Sequence, residues 1–125
     1  MKKYIADGIK VVGEVENLFD FYNQAKVVIN PVNAGTGIKI KSIESLCHFK
    51  PLVTWPAGVE GFNQQILDLC IVANNWFEFA DKVVDVLFSS KLQWFTDDQR
   101  NEIKRSFSPE VVYSDLKEEL ANVLI

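Results

Sequence analysis

The residues best suited to chemistry lie in one run, NAGTGIKIKSIESL, where an apolar stretch gives way to glycines, lysines and a glutamate. A turn at Gly35, Thr36 and Gly37 would open a helix whose first N–H groups and positive dipole end suit an anion such as phosphate. The run fits two phosphate-loop patterns apart from one residue. From Gly35 to Ser42 it matches a P-loop except that Ile40 stands where a glycine should precede the lysine, and Ile40 breaks the GxGxxG pattern too. Both loops bring backbone against phosphate with no Cβ between them, and a branched isoleucine obstructs that approach.

Helical phase accounts for the isoleucine. Ile40, Ile43, Leu46 and Cys47 recur as one apolar stripe, expected to pack on a sheet. Lys41, Glu44, Ser45 and His48 form a second face. That face is either a solvated surface with a Lys41–Glu44 ion pair, contributing about 0.5 kcal/mol, or part of a ligand site. His48, the single histidine, is expected to pack beside Phe49 rather than to act as a base, and Ser42 and Ser45 have no histidine–acid partner within sequence reach.

Short β-branched runs at 9–12, 27–31, 52–55 and 70–73 have the pattern of parallel strands covered on both faces. Helical patterns at 16–25, 37–49 and 76–89 alternate with them, the last carrying a stripe of Phe79, Val83, Val86 and Leu87. Thr96 and Ser108 are N-cap candidates for two closing helices, with Pro109 at the first helical position of the second. The expected fold class is α/β: a partial Rossmann-like parallel sheet of about four strands, with flanking and C-terminal helices. Doubly wound sheets commonly hold five or six strands and bind ligands at the strands' carboxyl ends, so a sheet of four suggests a fragment.

The 125 residues are expected to form one domain. A net charge of −4 without a basic block argues against a nucleic-acid partner, while Lys39 and Lys41 could meet one small anion. No window is apolar enough for a membrane span, and MKKYIADGIK lacks the apolar core of a signal peptide. Cys47 and Cys70, with no CxxC and no second Cys/His pair, predict two buried free thiols in a reducing compartment and no metal site. Trp55, Trp76 and Trp94 are expected to anchor core or domain contacts, with Trp55 also placed to line a site at a strand's carboxyl end.

From Val12 to Phe62 the order VVGEVENLFDFYNQAKVVINPVNAGTGIKIKSIESLCHFKPLVTWPAGVEGF resembles the donor-binding domain of the glycosyltransferase group 1 family, which has the GT-B architecture. IVANNWFEFADKVVDVL resembles the family's next strand and helix, and FSPEVVYSDLKEEL its closing helices. The resemblance implies that Gly35, Thr36 and Gly37 lie against the donor's diphosphate and sugar, and that Lys41 contacts phosphate. It casts Glu44 as the second glutamate of the family's E-x7-E pattern, accepting the donor ribose hydroxyls; a carboxylate can take two such bonds at once. The first glutamate of that pattern is Thr36 here. Gly13 and the backbone near Val15 would sit beside the nucleobase, and Glu60 would either face the donor sugar or cap the next segment.

The resemblance further implies that the family's upstream Arg- and Lys-bearing strand and its N-terminal acceptor domain are missing partners of this chain. The chain is thus expected to be the C-terminal part of an enzyme that moves sugar from a nucleotide-sugar donor to a saccharide or lipid-linked acceptor. By itself it is expected to bind nucleotide weakly and to transfer nothing. No cofactor is implied, the nucleotide sugar being the substrate. A cytoplasmic location follows, free or peripheral at the inner face of a membrane. Two alternatives stand beside this: a non-catalytic α/β module that self-associates through an exposed sheet edge as a homodimer, and part of a nucleotide-sugar epimerase of the same architecture.

Overall fold

The computed structural model describes residues 7–32 and 39–108. The elements run α1 (Phe19–Gln24), β1 (Val28–Asn30), α2 (Ile40–Cys47), β2 (Leu52–Thr54), a 3₁₀ turn (Pro56–Val59), α3 (Gln64–Leu67), β3 (Ile71–Val72), α4 (Trp76–Leu87) and α5 (Asp97–Ser106). The strands form one parallel sheet in the order β1-β2-β3, with Val28 opposite Leu52, Asn30 opposite Thr54, and Thr54 opposite Val72. Each strand is short and each crossover passes through a helix, which is the arrangement parallel pairing requires.

The sheet is covered on both faces, and β2 shows how. Side chains alternate along a strand, so Val53 and Trp55 point one way, into a core with Ala73 and with Phe79 and Val86 of α4. Thr54 points the other way, beside Asn30 and toward α2. On that side a second core gathers Leu46 of α2, Ile66 of α3, Ile103 of α5 and Phe95 of the loop before α5. Trp94 packs against both cores.

Three of the four expected strands form. The run at 9–12 does not: it has no strand assignment, and Ile9, Val11 and Val12 are exposed. Consecutive parallel strands laid down in one direction are one half of a doubly wound sheet, and in the usual order 3-2-1-4-5-6 the preceding strand sits at the far edge of the other half. Among the described residues no strand pairs with the outer edge of β1. The β-branched run therefore has the right composition for a strand and, among the described residues, no strand to pair with.

The helices differ from expectation in extent and in phase. The pattern at 16–25 yields only Phe19–Gln24, with Leu18 and Phe19 exposed. In α2 the stripe expected to face the sheet is buried only in part: Leu46 is buried and Ile43 half-buried, but Ile40 is 61% exposed and Cys47 is exposed, while Ser42 and Ser45 are buried in their place. In α4, Phe79 and Val86 are buried as expected and Leu87 is exposed. The Thr96 cap forms a full capping box with Gln99. The 3₁₀ turn and α3, capped by Asn63, fall where no element was expected. The helix expected to start at Pro109 lies outside the described residues.

Both cysteines are free as expected, but neither is buried: Cys47 is exposed and Cys70 half-buried. Burial pushes the Cys70 thiol up to about 12, and its Sγ donates to the Ile66 carbonyl at 3.4 Å. Partial desolvation and then the Glu44 charge raise the Cys47 thiol as well. Alkylation with iodoacetamide at pH 8, read by peptide mass, is expected to label Cys47 first, because exposure governs access and thiolate governs reactivity; equal rates would contradict this.

Candidate functional site

At the carboxyl ends of β1 and β2 a compact polar cluster is buried. Asn30 ends β1 and its Nδ2 donates to Ser42 Oγ of α2 at 2.9 Å. Thr54 ends β2, opposite Asn30, and its Oγ1 donates to the Asn30 carbonyl at 3.0 Å and lies 3.1 Å from the Trp55 carbonyl. The 3₁₀ turn closes over both at Gly58, where a Cβ would stand 2.0 Å from Thr54 Oγ1 and 3.2 Å from Asn30 Nδ2. Serine faces the sheet because α2 sits close enough to bond to a strand's side chain, and a larger apolar residue would push it away. The cluster thus fixes where α2 begins relative to the strand ends.

One atom of it is left over. Asn30 Oδ1 is buried and has no hydrogen-bond partner. A buried acceptor without a donor costs about 1 to 3 kcal/mol, which a water, an ion or a ligand donor at this position would relieve.

Glu44 lies one turn into α2, half-buried, and its Oε2 accepts from the Tyr22 hydroxyl of α1 at 3.0 Å. The Lys41–Glu44 ion pair of the solvated-face alternative does not form; Lys41 is exposed. Tyr22 also stacks on His48, with ring centroids 4.5 Å apart and planes within 6°, and Phe19 tilts against the same imidazole at 5.8 Å. His48 is a packing residue, as its position beside Phe49 suggested. Desolvation, then the bond to Glu44 and its negative charge, push the Tyr22 hydroxyl up to about 12. Tyr22 therefore remains a donor at neutral pH and holds one Glu44 oxygen, leaving the other oxygen's lone pairs for a further donor.

The sign of the linkage is fixed. A tyrosine whose folded pKa lies above its unfolded value of 10.0 gives stability that is complete below pH 10 and is lost as pH rises toward 12. Denaturant titrations at stepped pH are expected to show a loss in that window that Tyr22→Phe reduces; the same loss in the variant would contradict the assignment.

The remaining predicted site residues are spread out. Gly13 has a positive φ of 81° with open space at its Cα, and Val15 is half-buried; both lie outside helices and strands. Glu60 does not cap α3, a role taken by the Asn63 side chain accepting from Ile66 N at 2.9 Å. Glu60 is exposed and lines an open, mostly apolar cleft of about 780 Å³ with Pro56, Phe62 and Val72. Trp55 is buried rather than lining an open site; it meets Trp76 edge-on at 4.8 Å, and its Nε1 has no hydrogen-bond partner. Gly35, Thr36 and Gly37 lie outside the described residues. Among the described residues no side chain caps the start of α2 and no acid occupies its first turn.

Sequence reasoning missed Tyr22, Asn30, Thr54 and Gly58 as partners of the site. Asn30 and Thr54 were legible as strand-ending polar residues, whereas the bond from Tyr22 joins helices 22 positions apart and has no local signal.

A parallel sheet with helices on both faces and a polar cluster at its carboxyl ends is the arrangement of nucleotide-binding α/β proteins. The family model described as "Glycosyl transferases group 1" matches residues 1–89, and the chain belongs to that family. Searches of curated proteins and of solved structures gave no match. Among the described residues no helix is long and apolar enough to cross a membrane.

Proposed function

We propose that this chain is the C-terminal, donor-binding part of a group 1 glycosyltransferase, which holds a nucleotide sugar while its sugar passes to a saccharide or lipid-linked acceptor. The observation that carries the reading is Glu44, half-buried on α2 and held by the Tyr22 hydroxyl with accepting capacity to spare. In this role it takes the ribose hydroxyls. Lys41 and the helix N-terminus take the diphosphate, with Gly35, Thr36 and Gly37 supplying backbone donors. Gly13 and Val15 border the base and Glu60 the sugar. The nucleotide sugar is a substrate rather than a cofactor, and the acceptor domain belongs to the rest of the enzyme, which acts in the cytoplasm or at the inner face of a membrane.

Magnitudes decide how much of this the chain does alone. A helix end contributes about 0.3 to 2 kcal/mol toward an anion, and each of one or two charge-assisted hydrogen bonds about 1.5 to 3. Immobilising the ligand consumes several. The remainder is on the order of 4 kcal/mol, which corresponds to millimolar binding. Titration with UDP and with GDP, followed by amide shifts over residues 35–44, is expected to give millimolar affinity and no turnover. Micromolar affinity, or sugar transfer by the chain alone, would contradict the proposal.

A second reading rests on the outer edge of β1, which pairs with no strand among the described residues and carries Ile29 at 46% exposure. Unpaired edges recruit strands, so the isolated chain is proposed to self-associate there. Sedimentation at several concentrations is expected to show a monomer–dimer equilibrium; a strict monomer would count against it.

A further inference from the structure

At the opposite end of the sheet, where the strands begin, a cavity of about 440 Å³ is lined by Lys26, His48, Lys50, Lys91, Trp94 and Arg100, among others. Lys26 stands two residues before β1 and Lys50 two before β2, so the cavity lies at the strands' amino ends, away from the cluster around Asn30 and Thr54. No Asp or Glu is among the described residues that line it. In a chain of net charge −4, four cations around one cavity without a carboxylate is a local inversion of sign.

The partners these cations do have are neutral. Lys26 Nζ donates to the Leu87 carbonyl at 2.6 Å, and Lys50 Nζ to the Asn23 carbonyl at 3.3 Å. Lys91 sits over the Trp94 ring at 4.5 Å, and Arg100 over Phe49 at 4.7 Å. Arg100 Nε is buried and has no hydrogen-bond partner at all. The ordinary explanation for cations here is that helices end at this side of a parallel sheet, each end carrying about half a negative charge. The ends of α1, α2 and α4 together offset at most about one and a half charges, fewer than the four present. Arg100 itself belongs to the first half of α5, where the dipole is positive and offers it nothing.

We propose that this cavity binds a phosphate-type dianion, with Arg100 and Lys91 as its principal ligands and Lys50 behind them. With its face on Phe49, the Arg100 guanidinium offers its N–H edge, a fork that suits two oxygens of one phosphate. Phe49 and Trp94 hold the two cations in place against the cavity wall, which lowers the entropy lost on binding. This site is independent of donor binding at the carboxyl ends, and it takes the phosphate of either a soluble phosphoester or a lipid headgroup.

The test titrates the 125-residue chain with pyrophosphate in chloride buffer, in parallel with phosphatidylcholine vesicles with and without phosphatidic acid. Saturable amide shifts at 47–50 and 91–100 with pyrophosphate alone are expected for a soluble ligand; sedimentation with the acidic vesicles alone assigns a headgroup. Lys91→Gln, at an exposed position that spares the fold, and Arg100→Gln, checked by circular dichroism, are each expected to weaken binding about tenfold, the factor of one charge-assisted hydrogen bond. Glu44→Ala is expected to leave these shifts intact, so failure of the donor-site proposal would not imitate failure here. Absence of saturable binding in both arms, or binding that neither substitution weakens, overturns the proposal.

Discussion

Gly58→Ala is expected to leave little folded protein. The added Cβ would lie 2.0 Å from Thr54 Oγ1, and Thr54 cannot move aside, because it is fully buried and its hydroxyl is bonded to the Asn30 carbonyl at the sheet. Overpacking of a tight core costs about 1 to 3 kcal/mol, and more where nothing yields. Displacing Thr54 would add about 1 kcal/mol for its lost hydrogen bond. Against a total stability of about 5 to 15 kcal/mol, that removes a large part. The mechanism has its own control. Thr54→Ala removes the oxygen that the new methyl meets, so Gly58→Ala with Thr54→Ala should be less destabilised than the sum of the two single changes, read from denaturant midpoints. Simple additivity would mean that the contact is not the cause.

Ile103→Ala is expected to cost about 2 to 5 kcal/mol, the range for truncating a large aliphatic side chain in a core. Ile103 is fully buried in a cluster with Leu46 of α2, Ile66 of α3 and Phe95. The family match ends at residue 89, yet α5 supplies a wall of the core on which α2 rests. The core therefore extends beyond the matched segment, and a truncation after residue 89 is expected to expose Leu46 and Ile66 and to aggregate. Thermal unfolding of Ile103→Ala tests this. A melting temperature within a degree or two of the parent would show that α5 is dispensable.

The elements legible in the sequence are those with a local cause. Apolar β-branched runs gave β1, β2 and β3; the 3.6-residue stripe gave α4; and the Thr96 to Gln99 spacing gave the start of α5. The failures share one origin, in that a neighbour decides each. The run at 9–12 has strand composition and, among the described residues, no partner strand. The face of α2 was assigned from hydrophobicity, whereas two serines share the buried face with Leu46: Ser42 accepts from Asn30, and Ser45 satisfies its hydroxyl on the Lys41 carbonyl of its own helix. Glu44 was singled out by the family resemblance, and its partner is Tyr22 rather than Lys41, since a hydroxyl from α1 reaches a half-buried carboxylate that an exposed lysine does not. The glycine turn raised the question of a phosphate loop, and the described residues locate the more informative atoms on either side of it, at Asn30 and Glu44.

The most direct test of donor binding at α2 is a UDP titration of the parent chain and of Glu44→Ala under the same conditions, followed by amide shifts. Binding by Glu44 predicts millimolar saturation in the parent, with shifts concentrated over residues 35–44, and affinity weaker by about tenfold or more in the variant, the loss expected for one charge-assisted hydrogen bond. Superimposable curves for the two proteins, or shifts confined to the Arg100 cavity at the far end of the sheet, would contradict it.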